Sequence, residues 1–96
     1  MRTYKILYNK QQFLFFIIPD HCHLSNESIV DIVKHCFNCP YYIGVRLKVK
    51  GVFLMCKYGV KGRNYAPDYR PKMFGEMLRI WNYWRRNWER RKYGRE

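Results

Sequence analysis

Acidic side chains are scarce in this sequence, seven Asp and Glu against nineteen Lys and Arg in 96 residues. Apart from Glu27 and Asp31, no two acids stand three or four residues apart. Paired carboxylates for general acid–base work are therefore missing, and Glu27 with Asp31 falls where a helix N-terminus favours negative charge. Glycine is also sparse, at six residues, and none of them builds a phosphate-cradling loop. No Ser/His/Asp arrangement suggests a hydrolase. Long hydrophobic runs are absent: the longest, FLFFII at 13–18, falls far short of the roughly 20 residues of a membrane-spanning helix. Pro19-Asp20-His21 follows that run where a signal peptide would carry small residues before a cleavage site. The expected location is cytoplasmic, where four cysteines suit thiols or metal ligands better than disulfides.

What the chain has in excess is positive charge and aromatic rings. The net charge is +12, 48% of residues are hydrophobic and 19% are aromatic. So apolar a chain packs a core rather than behaving as a disordered basic tail. The charge speaks to partners: nucleic acid, anionic lipid or an acidic protein surface. It is also lopsided, with six Lys and Arg against three acids in residues 1–48 and thirteen against four in 49–96.

No linker or low-complexity segment divides residues 1–96, which read as one α+β domain of order ββαββα with an antiparallel sheet of about four strands. Residues 1–18 suggest a hairpin, TYKILYN and FLFFIIP joined by a polar turn, its second strand apolar on both faces and therefore central or covered. Over 25–39 the period changes, placing Ile29, Val30, Ile32, Val33, Cys36 and Phe37 on one face of a predicted helix. Ser25 or Asn26 would cap that helix and Pro40 would end it. Residues 41–60 predict a second hairpin, since Ile43, Val45, Leu47 and Val49 alternate with Gly44, Arg46, Lys48 and Lys50. A turn at Lys50-Gly51 would set Val49 opposite Val52, Leu47 opposite Leu54 and Val45 opposite Cys56. Arg46, Lys48, Phe53, Met55 and Lys57 would then share a cationic face.

A basic, aromatic loop at 61–70 leads into a predicted helix over 71–93, with Pro71 suited to its first turn. At 100° per residue, Phe74, Met77, Leu78, Trp81, Trp84 and Trp88 form one stripe; Arg79, Tyr83, Arg86 and Arg90 form the opposite one. The tryptophan stripe reads first as a core anchor or partner contact, the arginine stripe as exposed chemistry. Arginine's planar fork suits phosphate and stacks on bases. Cations interleaved with rings are what loop and single-stranded RNA binding uses.

The sequence thus predicts non-catalytic nucleic-acid binding, RNA or single strands favoured, through Arg46, Lys48, Lys57, Lys61, Arg63, Tyr65, Arg70, Arg79, Tyr83, Arg86 and Arg90. The chief alternative is a protein-binding module: an inhibitor, or a structural part of a viral or ribonucleoprotein assembly, with an acidic partner or a homodimer formed through the Trp face. No cofactor is expected. The one metal considered is zinc, since DHCH at 20–23 and HCFNC at 35–39 bring together His21, Cys22, His23 and Cys39 as ligand types. Cys36 and Cys56 turn inward on their predicted elements and suit small buried hydrophobes instead.

The segment PDHCHL at 19–24 is similar to the His-hydrophobe-His pattern of the HUH nucleases and single-tyrosine transposases. In that family two strand histidines hold a divalent metal and a helical tyrosine attacks the DNA backbone. The resemblance, which spans six residues, implies a third reading: a metal-dependent nuclease with His21 and His23 as ligands and Tyr83 as the nearest candidate nucleophile. Here Ser25, Asn26 and Glu27 follow the second histidine in place of further apolar strand residues.

Overall fold

Two short strands separated by one residue, β1 (Arg2–Lys5) and β2 (Leu7–Asn9), begin the fold in a computed structural model that describes residues 2–19, 29–58, 62 and 66–89. Ile6 lies between them, fully buried, its N–H donating to the Val52 carbonyl at 2.8 Å. At this residue the chain changes sheets. β1 pairs antiparallel with a later strand, Gly51–Cys56, whereas β2 pairs antiparallel with β3 (Leu14–Ile17). Strands that pass from one packed sheet to another form the corners of such folds.

The expected first hairpin is therefore β2 with β3, in the register Leu7↔Phe16, Tyr8↔Phe15 and Asn9↔Leu14. The Asn9 Oδ1 accepts from the Gln11 and Gln12 N–H groups at 3.0 and 3.2 Å, organising the turn locally. Phe13 closes the loop in the left-handed region at φ 51°. β3 is central in its sheet, between β2 and β4 (Val30–Asp31). Its Phe15 and Ile17 are fully buried while Leu14 and Phe16 are half-buried, which accounts for a strand apolar on both faces.

The predicted helix over 25–39 is not formed in its described part. Val30 and Asp31 pair with Ile17 and Phe16 as strand β4. The chain then turns, with the Asp31 carboxylate accepting from Val33 N–H at 3.0 Å and Lys34 N–H at 3.3 Å, and only Cys36–Asn38 form a 3-10 turn. Two local effects oppose the helix. β-branched Ile29, Val30, Ile32 and Val33 lose side-chain freedom in one, and the Asp31 side chain competes for backbone donors. The burial inferred from the pattern survives at Val30, Ile32, Cys36 and Phe37, all core residues. Residues 25–28 lie outside the described residues.

The second hairpin is β5 (Tyr42–Lys48) with β6 (Gly51–Cys56), closed at Val49-Lys50 rather than Lys50-Gly51. Val45 faces Leu54 and Leu47 faces Val52, two residues away from the expected register. An even shift preserves faces because side chains alternate with period two, so Val45, Leu47, Val52 and Leu54 still point to the core, while Val49 falls in the turn and is exposed. Met55, expected on the cationic face, is fully buried. Its partner across the ladder is Gly44, over which Pro67 lies so closely that a Cβ added at Gly44 would meet the Pro67 Cβ at 2.4 Å.

Two small antiparallel sheets, β1-β6-β5 and β2-β3-β4, thus stand where one sheet of about four strands was expected. The break at Ile6 and the pairing of Val30–Asp31 with β3 account for the difference. α1 (Phe74–Trp84) is the C-terminal helix, continued by a π turn over Arg85–Glu89. It starts three residues later than the sequence suggests. Pro71 lies outside it, buried, with its carbonyl accepting from the Tyr42 hydroxyl at 2.7 Å. Met77 and Trp84 are buried; Phe74, Leu78, Trp81 and Trp88 are half-buried against the same core as Phe15, Leu47, Val52 and Leu54. Residues 90–93 lie outside the described residues.

Candidate nucleic-acid interface

One edge of β5 is occupied by the segment that precedes the helix. Val45 donates to the Tyr69 carbonyl at 2.8 Å, and its own carbonyl accepts from the N–H groups of Asp68 and Tyr69 at 3.0 and 3.1 Å. The Asp68 Oδ2 accepts from Leu47 N–H at 2.9 Å, satisfying the next donor along the edge. Four hydrogen bonds thus fix Asp68 and Tyr69 beside Arg46.

Where this segment meets the end of the helix there is an open groove of about 460 Å³, lined by Arg46, Leu47, Asp68, Tyr69, Tyr83 and Trp88. The Tyr69 and Tyr83 rings meet edge to face at 6.4 Å between centroids, and each is about two-fifths exposed. Trp88 reaches the groove from the π turn. There the backbone no longer follows the 100° step on which a straight tryptophan stripe is drawn. The helical side that carries Tyr83 also carries exposed Arg79 and Arg86, four residues before it and three after.

The predicted binding residues separate accordingly. Arg46 and Tyr83 meet in the groove, with Arg79 and Arg86 along the same helix. Arg70 is exposed next to Tyr69. Lys48 is exposed too, but its ammonium lies over the Phe53 ring at 5.2 Å and does not line the groove. Lys57 stands past the end of β6, its N–H donating to the Tyr41 carbonyl at 2.9 Å. Lys61, Arg63, Tyr65 and Arg90 lie outside the described residues. So do His21, Cys22 and His23, considered with Cys39 as zinc ligand types, the two histidines also as ligands of a nuclease metal. Among the described residues no group of three or more His, Cys, Asp or Glu is placed to hold a metal ion, and Cys39 accepts the Tyr41 N–H at 3.4 Å.

Asp68 and Trp88 complete the groove without having been singled out as binding residues, beside Tyr69, one of the rings interleaved with cations in the 61–70 loop. Trp88, read from periodicity as a core anchor or partner contact, is half-buried against the core and also lines the groove. The only cue for Asp68 is its position in the aromatic, proline-bounded segment APDYRP at 66–71. Tyr42 and Pro71, joined by a hydrogen bond, are both buried. Burial pushes the Tyr42 phenol well above its ordinary range, against a smaller opposing pull from Arg70, and keeps it protonated as a donor to Pro71.

Comparison with known proteins identifies no relatives: no family model, no curated protein and no solved structure matches this chain. No helix among the described residues is long and apolar enough to cross a membrane.

Proposed function

We propose that the protein binds nucleic acid without catalysis, single strands and RNA in preference to duplex DNA. The observation that carries this reading is the groove in which Arg46 stands with Tyr69, Tyr83 and Trp88, flanked on the helix by exposed Arg79 and Arg86. Arginines supply charge for phosphates, and exposed ring faces supply platforms for unstacked bases. A groove of about 460 Å³ suits a single nucleotide better than a duplex. The net charge of +12 favours encounter with a polyanion.

Fluorescence anisotropy of labelled single-stranded RNA, single-stranded DNA and duplex DNA tests the proposal across a salt series. Single strands are expected to bind most tightly, with affinity falling steeply as salt rises. Absence of binding, or binding indifferent to salt, rejects it. A protein-binding module is the second reading, favoured by the exposure of Phe13 and Met73, 70% and 63% accessible, on neighbouring parts of the surface where Phe13 meets Phe74. Copurification of a stoichiometric acidic protein in place of nucleic acid would support it.

A further inference from the structure

Asp68 is out of place in a surface built for phosphates. It lines the groove beside Arg46, is exposed, and spends one lone pair of Oδ2 on the Leu47 N–H at 2.9 Å. A carboxylate has about four acceptor sites and no donor, so this groove-lining residue keeps acceptor capacity beyond its bond to Leu47. It repels a phosphate and demands a donor. We propose that, on the reading of the groove as a nucleic-acid site, Asp68 recognises the Watson–Crick edge of an unpaired guanine whose ring stacks on Tyr83 or Trp88.

The choice of base follows from donor patterns. Guanine presents two adjacent donors, N1–H and the 2-amino group, which match the two oxygens of a carboxylate. Adenine and cytosine each set a ring acceptor beside their amino group, and that lone pair would oppose the carboxylate. Uracil flanks its single N–H with two carbonyls. A cationic ligand is the other chemistry that rings and a carboxylate can hold. Arg46 in the same groove and the net charge of +12 work against it. Arg46 is instead placed for the phosphate of the same nucleotide. Four hydrogen bonds from β5 hold Asp68 and Tyr69 in position beforehand, so the recognition geometry needs no ordering step on binding.

The test compares a short oligouridine carrying one central guanosine with the same oligomer carrying adenosine and with oligouridine itself, read by anisotropy. The wild-type protein is expected to favour the guanosine oligomer by about tenfold. Asp68→Asn keeps an acceptor for the Leu47 N–H and is expected to abolish that preference. Equal, salt-sensitive binding of all three oligomers by the wild type overturns the guanine assignment and leaves the nucleic-acid reading standing. A preference that persists in Asp68→Asn overturns it as well. Failure of every oligomer to bind removes both.

Discussion

The indole Nε1 of Trp84 donates a hydrogen bond to the backbone carbonyl of Lys48 at 2.7 Å, tying the helix to the last residue of β5. The same ring is buried and packs against Trp81 at 5.5 Å between centroids. Trp81 in turn meets Phe15 and Tyr8 at 5.7 and 5.9 Å. One residue therefore anchors the helix to one sheet by polarity and, through its neighbour, to the other by packing. The groove depends on that anchoring, because Tyr83 and Trp88 occupy the same end of the helix.

Separating the two contributions requires two substitutions. Trp84→Phe keeps an apolar ring and loses the donor, and should cost about 1 kcal/mol. Trp84→Ala also opens a cavity and should cost about 3–5 kcal/mol. Urea unfolding followed by circular dichroism measures both; unchanged midpoints in the two variants would contradict the anchoring role.

Tyr42 gives the fold an alkaline limit. Its phenol is pushed up from an ordinary value of 10.0, chiefly by burial, and donates to the Pro71 carbonyl. The folded chain thus keeps a proton at pH values where the unfolded chain releases it. The stability so conferred is complete below about pH 10 and is lost as pH rises through the folded value. Tyr42→Phe should cost about 1 kcal/mol near neutral pH, and the gap between the two proteins should narrow above about pH 10. A gap that stays constant or widens there would refute the linkage.

Two glycines should respond to alanine in opposite directions. At Gly44 the added Cβ would meet the Pro67 Cβ at 2.4 Å and the Tyr69 carbonyl oxygen at 2.6 Å. Gly44→Ala must displace the segment that builds one wall of the groove, at about 1–3 kcal/mol, and nucleic-acid affinity should fall with it. At Gly75, near the start of α1, nothing lies within 4 Å. Gly75→Ala should raise stability by about 0.5 kcal/mol through helix propensity, with binding unaffected. Thermal melts paired with anisotropy on the same preparations read out both effects.

Arg46, Arg79 and Arg86 should behave as phosphate contacts. Replacing any one with Gln is expected to lower the magnitude of the log affinity against log salt slope by about 0.7 for single strands, while folding stability changes by less than about 0.5 kcal/mol. Lys57→Gln, at the far end of β6, should leave the slope nearly unchanged. A uniform loss across all four variants would show attraction by overall charge and not by the groove.

Local chemistry made several elements legible in advance. Period-two alternation in 43–49 marked β5 and its inward Val45 and Leu47. The apolar run at 14–17 marked a strand covered on both faces, and helical periodicity separated Met77 and Trp84 from exposed Arg79, Tyr83 and Arg86. Each of these rests on a repeat that one residue and its near neighbours carry in full. The segment at 29–39 shows the limit. Its apolar spacing satisfied a helix, yet β3 had an unpaired edge, and ladder hydrogen bonds from Val30–Asp31 outweighed local periodicity.

Burial faces, helix amphipathicity and an excess of arginine over acid belong to the sequence alone, because side-chain spacing and charge need no partner to be counted. The division into two sheets at Ile6, the docking of Asp68 and Tyr69 on β5, and the meeting of Arg46 with Tyr83 and Trp88 belong to the tertiary structure. These relations join residues from 21 positions apart, Leu47 and Asp68, to 54, Arg2 and Cys56, and the hydrogen bonds that hold them exist only once the core beneath has closed. The tryptophans prominent in the sequence chiefly hold the helix in place, and the groove forms where that helix meets the edge of β5.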